Sequence, residues 1–228
     1  MNGPVANFHG IGQPGDHVDA AERPYWLSEV QFAEALALLR ASRERVLLTF
    51  DDGNASDHAL AMPMLRGGDL PVIVFACSDR IGQPGYLSAA QLAELAAQPG
   101  FAVGSHGRAH VPWRGLGGTA LADELATSRK ALEQACGARV LDAAIPFGRY
   151  DGGVLRAMAH AGYARAFSSD GGPRLSGQWP IPRLSFRGDR AMEDQVADLL
   201  ARAAWHRRLA QEVRLRAKLV VRQGRRTA

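Results

Sequence analysis

The sequence predicts a parallel α/β protein. Three observations carry that expectation: six short apolar runs alternate with helix-like stretches, two of those stretches open on capping boxes, and the chemically distinctive motifs follow apolar runs. With 228 residues, 46% of them hydrophobic and 22% charged, the chain suits one sizeable globular domain. No internal repeat or low-complexity linker divides it.

The first run, residues 5–9, ends on His9-Gly10. Ser28-Glu29-Val30-Gln31 then places a serine at a helix N-cap and a glutamine three residues on, so each side chain can satisfy the other's backbone N–H. Residues 46–50 are β-branched and apolar, with Arg45 before them and Asp51-Asp52-Gly53-Asn54 after, which reads as a buried strand ending in a turn. The third run is 72–76, and Ser88-Ala89-Ala90-Gln91 repeats the capping box after it. Beyond the fourth run, 101–104, residues 119–136 carry apolar side chains at helical spacing and stop before Gly137. The fifth and sixth runs are 141–146 and 164–168. Gln83-Pro84-Gly85, residues 114–118 and Asp170-Gly171-Gly172-Pro173 read as loops.

Two motifs carry the chemistry. Asp51 and Asp52 sit at a strand end, where adjacent side chains point to opposite sides and can take separate roles around one cleft. One would bind a metal and the other would handle protons, since a carboxylate beside a divalent cation stays ionised and can take a proton from an activated water. Taken alone, Asp-Asp-Gly is also an ordinary Asx turn with Gly53 at a positive φ. In Gly104-Ser105-His106-Gly107-Arg108-Ala109-His110, two histidines four apart are expected to present both rings on one side of a helical turn. Two imidazoles and one carboxylate form a three-ligand set that keeps a coordination position open for water, unlike a structural zinc site. Cys77 and Cys136 read as small buried residues, so a metal would be held by nitrogen and oxygen.

These residues resemble the polysaccharide deacetylases of carbohydrate esterase family 4. That family shares a Thr-Phe-Asp-Asp-Gly motif, a His-x-x-x-His motif and a later Pro-Tyr-Gly motif, which correspond here to Thr49-Phe50-Asp51-Asp52-Gly53, His106 with His110, and Pro146-Phe147-Gly148. The likeness runs from about Phe8 to Asp189. It implies a distorted, incomplete (β/α) barrel with fewer than eight complete units and the active site at the C-terminal ends of the strands. It also implies a metal-dependent hydrolase that removes N-acetyl groups from an amino sugar of a polysaccharide or of its lipid- or nucleotide-linked precursor. Carried over residue by residue, Asp51 is the general base, and Asp52, His106 and His110 are the metal ligands. Phe147, in a turn with Gly148, offers a backbone N–H to the developing oxyanion. Zinc is the expected ion, with cobalt, nickel or iron suiting the same ligands.

The chain departs from the family pattern twice. Many members carry an arginine two residues before the motif's proline that tethers the catalytic aspartate, where this chain has Ala144. Arg183 is the nearest strand-end replacement. Many members also have a late histidine that protonates the leaving group, and this chain has none between Ala161 and Trp205. Asp51 after it takes the water's proton, or His9, would supply that proton. Asp170 and Trp179 are candidates for lining the cleft, while Trp113 would either stack on a sugar or pack internally. Two other functions fit the same residues: hydrolysis of a small non-sugar amide, and sugar binding by a relative that has lost catalysis.

Charge is unevenly placed. Residues 202–228 hold nine Arg or Lys against one acid, which makes this segment +8 and the preceding 201 residues −4 within a net charge of +4. The expected organisation is thus a catalytic domain over 1–201 and a basic helix or tail over 202–228. That tail would pack as a solvated final helix or contact an anionic membrane surface. No recognition module for nucleic acid is evident. With neither a signal-like N-terminus nor a membrane-length apolar run, the expected location is cytoplasmic, with peripheral contact at the inner face of the membrane.

Overall fold

The computed structural model of the chain describes residues 3–42, 44–171 and 178–201. The basic segment 202–228 and Gly172-Pro173 of the third predicted loop lie outside the described residues. Eight parallel strands form one sheet: β1 (Val5–Phe8), β2 (Leu47–Phe50), β3 (Val72–Ala76), β4 (Phe101–Ser105), β5 (Asp142–Ala144), β6 (Arg165–Ser168), β7 (Ile181–Pro182) and β8 (Leu184–Ser185). Their order is β7-β6-β5-β4-β3-β2-β1-β8. The two ends of this sheet are neighbouring pieces of one stretch, because Ile181 pairs with Phe167 of β6 while Leu184 pairs with Ala6 of β1. The sheet therefore curls into a barrel with a single seam at Arg183. All six predicted runs are strands, and the two short pieces that close the barrel were not predicted.

Helices cover the outside. They are α1 (Glu29–Ala41), α2 (Met62–Leu65), α3 (Ala89–Ala97), α4 (Gly118–Ala122), α5 (Ser128–Cys136), α6 (Gly152–His160) and α7 (Met192–Leu200). Both capping boxes form, with Ser28 and Ser88 each accepting from the glutamine N–H three residues on, which satisfies N–H groups that a helix start leaves orphaned. The predicted long helix runs from α4 to α5 through a wider π turn, Asp123–Thr127, and ends at Gly137 in the left-handed conformation. Only six of the eight strands are followed or preceded by a full helical crossover among the described residues, which agrees with an incomplete barrel.

Strand alternation sorts the core into two layers. Ala6, Phe8, Leu48, Phe50, Val72 and Val74 join the layer beneath the helices, while Val5, Leu47, Ile73, Phe75, Phe167 and Ile181 form a second cluster in the lumen. Gly104 makes room for that lumen cluster, since a Cβ there would stand 2.4 Å from the Phe75 ring. Two residues further along the inward rows, the side chains become polar: Asn7, Thr49, Asp51 and Arg183 are all buried. The barrel thus has an apolar floor and a hydrogen-bonded polar layer at the C-terminal ends of its strands.

Candidate active site

Asp51 follows β2 but stays in the ladder, its N–H donating to Phe8 O at 2.9 Å, and His106 likewise follows β4 with its N–H on Ala76 O at 2.8 Å. Sheet hydrogen bonds thereby fix both residues at the mouth. Asp51 faces inward and meets Arg183 two-pronged, Nη1 to Oδ1 at 2.6 Å and Nη2 to Oδ2 at 2.8 Å. Asn7 braces the pair by donating to Asp51 Oδ2 (3.1 Å) and accepting from Arg183 Nη1 (2.8 Å) and from Thr49 Oγ1 (2.8 Å). Arg183 reaches Asp51 from the barrel seam.

Asp52 has a left-handed backbone, at φ +76°, and the two carboxylates do not point to opposite sides as strand alternation suggested: Asp51 Oδ2 and Asp52 Oδ1 each lie 3.9 Å from His106 Nε2. Asp52 Oδ1 also lies 3.1 Å from His110 Nε2. One donor atom from each of Asp52, His106 and His110 falls within 4.8 Å of the others, so a single ion can be held by the three. His106 Nδ1 lies 2.9 Å from Ala144 O, a carbonyl that can only accept, which places the ring proton on Nδ1 and leaves the Nε2 lone pair toward the cluster. The donor chemistry of two imidazole nitrogens and one carboxylate fits a divalent ion such as zinc.

The histidine pair is not on a helical turn, contrary to the spacing argument. Residues 106–113 form a loop that carries Gly107 at φ +84° and His110 at φ +56°, and these left-handed steps bring the two rings to 5.1 Å between centroids. Glu124, in the π turn between α4 and α5, pins this loop by accepting from Arg108 N–H (2.9 Å), Ala109 N–H (3.1 Å) and Trp113 Nε1–H (3.3 Å). A widened turn in a helix is a common way to aim one side chain at a site. Trp113 is fully buried, so of its two predicted roles it has the packing one.

Asp52, His110 and Phe147 are the non-glycine residues with positive φ among the described residues, and all three border this cluster. Each such conformation costs on the order of 1–3 kcal/mol and concentrates where structure serves function. Phe147, at φ +56°, is 53% exposed and lays its ring on His110 at 4.6 Å. The turn's backbone bonds run from Gly148 N–H to Ile145 O and from Arg149 N–H to Pro146 O, outside which the Phe147 N–H falls.

The charges are set by burial and by close partners. Burial alone would raise the Asp51 carboxyl, but the Arg183 guanidinium, His106 and the bonds from Arg183 hold it well below the usual carboxylate range. Burial lowers His110 to about 4, against the opposing pull of Asp52, which keeps the ring neutral. Burial also lowers His9, opposed by Asp52 and Asp51. His9 stacks on Tyr25 at 5.0 Å, and its buried Nδ1 has no hydrogen-bond partner.

The structure thus brings together His9, Asp51, Asp52, His106, His110, Phe147 and Arg183, with Gly148 in the flanking turn. Of the two proposed cleft residues, Asp170 is tied to Tyr150 and Ser168 at 2.7 Å each, and Trp179 packs on the core. Sequence reasoning missed Asn7 and Glu124, together with Arg80, whose Nη1 donates to Asp52 Oδ1 at 3.2 Å, and Glu22, whose Oε1 lies 3.7 Å from His110 Nδ1. Asn7 had a signal, lying two residues before His9 on the inward row of β1, whereas the other three act across loops and helices. A separate cavity of about 550 Å³ opens between Leu39, Val46 and Pro71 at the N-terminal ends of the strands, away from this chemistry.

A parallel barrel with an oxygen-and-nitrogen ligand set at the C-terminal mouth is an architecture used by many hydrolases. The chain belongs to the polysaccharide deacetylase family, whose model matches residues 39–166, more than half its length. Over 147 residues it is 29% identical to YxkH of Bacillus subtilis (strain 168), assigned by name as a polysaccharide deacetylase. That match takes in 64% of this chain and 52% of YxkH, so the chain spans about half the length of this curated relative. BC0361, a polysaccharide deacetylase from Bacillus cereus, superposes with a TM-score of 0.76 at 19% identity, covering 87% of this chain and 69% of that one. The deacetylase PplD of Streptococcus pyogenes, solved with acetate, also gives 0.76 at 16% identity, over 87% and 98% of the two chains. IcaB from Ammonifex degensii gives 0.67 at 20% identity over 87% and 98%. At these identities the solved structures share the fold.

Proposed function

We propose that this chain is a metal-dependent hydrolase that removes N-acetyl groups from an amino sugar of a polysaccharide or its precursor. The observation that carries the reading is the pairing of two carboxylates with different partners: Asp51 locked ionised by Arg183, and Asp52 grouped with His106 and His110. A divalent ion held by Asp52, His106 and His110 would supply Lewis acidity toward the amide carbonyl and lower the pKa of a bound water.

The protein's own groups take the remaining tasks. Asp51 Oδ2 lies 3.9 Å from His106 Nε2, so the base borders the ligand set and can accept a proton from water attacking there. The Phe147 N–H, outside the backbone bonds of its turn, is the donor for negative charge developing on the carbonyl oxygen. Burial leaves His9 uncharged at neutral pH, so the proton for the leaving nitrogen is the one Asp51 has taken. His9, whose buried Nδ1 has no hydrogen-bond partner, is the alternative carrier of that proton.

The test is acetate release from N-acetylglucosamine oligomers by metal-depleted protein, with and without zinc or cobalt, beside Asp51→Asn. Metal-dependent release that Asp51→Asn abolishes supports the reading, whereas zinc binding with no release from any N-acetyl sugar refutes it. A membrane-bound precursor as substrate rests on the basic segment 202–228. Equal partitioning of the full chain and of one ending at Trp205 onto anionic liposomes would remove that part of the reading.

A further inference from the structure

We propose that Glu22 is the positioning residue that turns His110 into a metal ligand, and that Arg80 is the cation it must be freed from. This inference rests on the metal site proposed above. Its basis is a closed ring of contacts: Arg80 Nη1 donates to Asp52 Oδ1 at 3.2 Å, Arg80 Nη2 stands 3.1 Å from His110 Nδ1, and His110 Nε2 stands 3.1 Å from Asp52 Oδ1.

A guanidinium has only donors, so in this ring His110 Nδ1 accepts and the single proton of the neutral imidazole is on Nε2. That proton points at Asp52 and occupies the lone pair a metal would use. For His110 to ligate through Nε2, the proton must leave Nε2 and a proton must reside on Nδ1, with no net change in the ring's charge. An Nδ1–H facing an Arg80 N–H sets donor against donor. The acceptor at hand is Glu22 Oε1, 3.7 Å from the same Nδ1, which needs to close by less than about 1 Å to form a hydrogen bond.

His106 shows what the other ligand does not require. Its Nδ1 already lies on the Ala144 carbonyl at 2.9 Å, so its Nε2 is free from the outset. The side chains of Glu22 and Arg80 are 22% and 21% exposed, so neither is sealed in the core as Asp52 is. A carboxylate on the remote nitrogen of a metal-binding histidine fixes its tautomer, and loss of such a partner typically weakens metal affinity by about 10–100-fold. Arg80 acts in the opposite sense, because its charge already satisfies Asp52.

The experiment is zinc affinity by competition with a chromophoric chelator for the full chain, Glu22→Gln, Glu22→Asp and Arg80→Met, with metal-free melting temperature as the folding control. We expect zinc binding to weaken about tenfold or more in Glu22→Gln, to recover in part in Glu22→Asp, and to tighten in Arg80→Met. Affinities of Glu22→Gln within twofold of the parent overturn the inference, as does weaker binding by Arg80→Met. Should Glu22→Gln fail to fold, Glu22→Asp and Arg80→Met decide the same question. A parent chain that binds no zinc refutes the metal-site reading itself, a result distinct from equal binding by parent and variant.

Discussion

Replacing Arg183 by methionine tests the central feature of the site, because it removes the counter-ion of Asp51 while keeping an apolar side chain of similar length over the Phe75 ring, 5.4 Å from the guanidinium carbon. Both partners are buried, and Asp51 loses two charged hydrogen bonds of 2.6 and 2.8 Å. Breaking a buried pair from one side costs about 3–5 kcal/mol. For a chain of this size that corresponds to a fall in melting temperature of about 6–20 °C.

The pH dependence carries a sign that a generic packing defect would not. In the parent, Asp51 titrates in the folded state below its unfolded value, so its stabilisation is complete above the ordinary carboxylate range and is lost as pH falls through the folded value. In Arg183→Met burial acts unopposed by the guanidinium and raises the folded value, so the variant's deficit shrinks as pH is lowered toward about 4. The acid limb of the kcat/KM profile for acetate release moves up by the same cause. Thermal denaturation at several pH values and the pH–rate profile measure both effects. A melting temperature within about 2 °C of the parent, with the acid limb unmoved, would refute the reasoning.

Gly107→Ala places a Cβ 2.5 Å from Glu124 Oε2 and 3.0 Å from Trp113 Nε1 at a backbone φ of +84°. The conformation alone costs about 1–3 kcal/mol, and displacement of Glu124 should weaken zinc binding, which denaturant titration and chelator competition will show. Glu124→Gln sets an amide NH₂ against N–H donors of the histidine loop, so stability drops by about 1–3 kcal/mol for a buried donor left unpaired, with faster exchange of the Arg108 or Ala109 amide. Phe147→Ala keeps the backbone N–H but removes the ring from His110, so KM for the sugar should rise while kcat changes less than about tenfold.

What could be read along the chain was whatever depends on near neighbours. The strands at 47–50 and 72–76 announced themselves by short, largely apolar runs, β-branched in the second, and the helices after Ser28 and Ser88 by side chains that cap a backbone three residues away. The motifs around Asp51, His106 and Phe147 followed from local sequence, as did their place at strand ends and the family they resemble. Local spacing misled at His106 and His110, where a fourfold separation suggested a helical turn. Two left-handed residues and the distant Glu124 shape that segment instead, and neither the φ angles nor the partner is encoded in the spacing. Which partners each carboxylate meets was likewise decided in three dimensions. Arg183 reaches Asp51 across 132 residues because one stretch closes the barrel between β6 and β1. Glu22 and Arg80 meet His110 from separate loops. The sequence by itself determined the six longer strands, the capped helices and the motif residues, since propensity, alternation and motif chemistry are short-range. Only the tertiary structure decided their charges and tautomers, because those depend on burial and on counter-ions that the fold delivers from far along the chain.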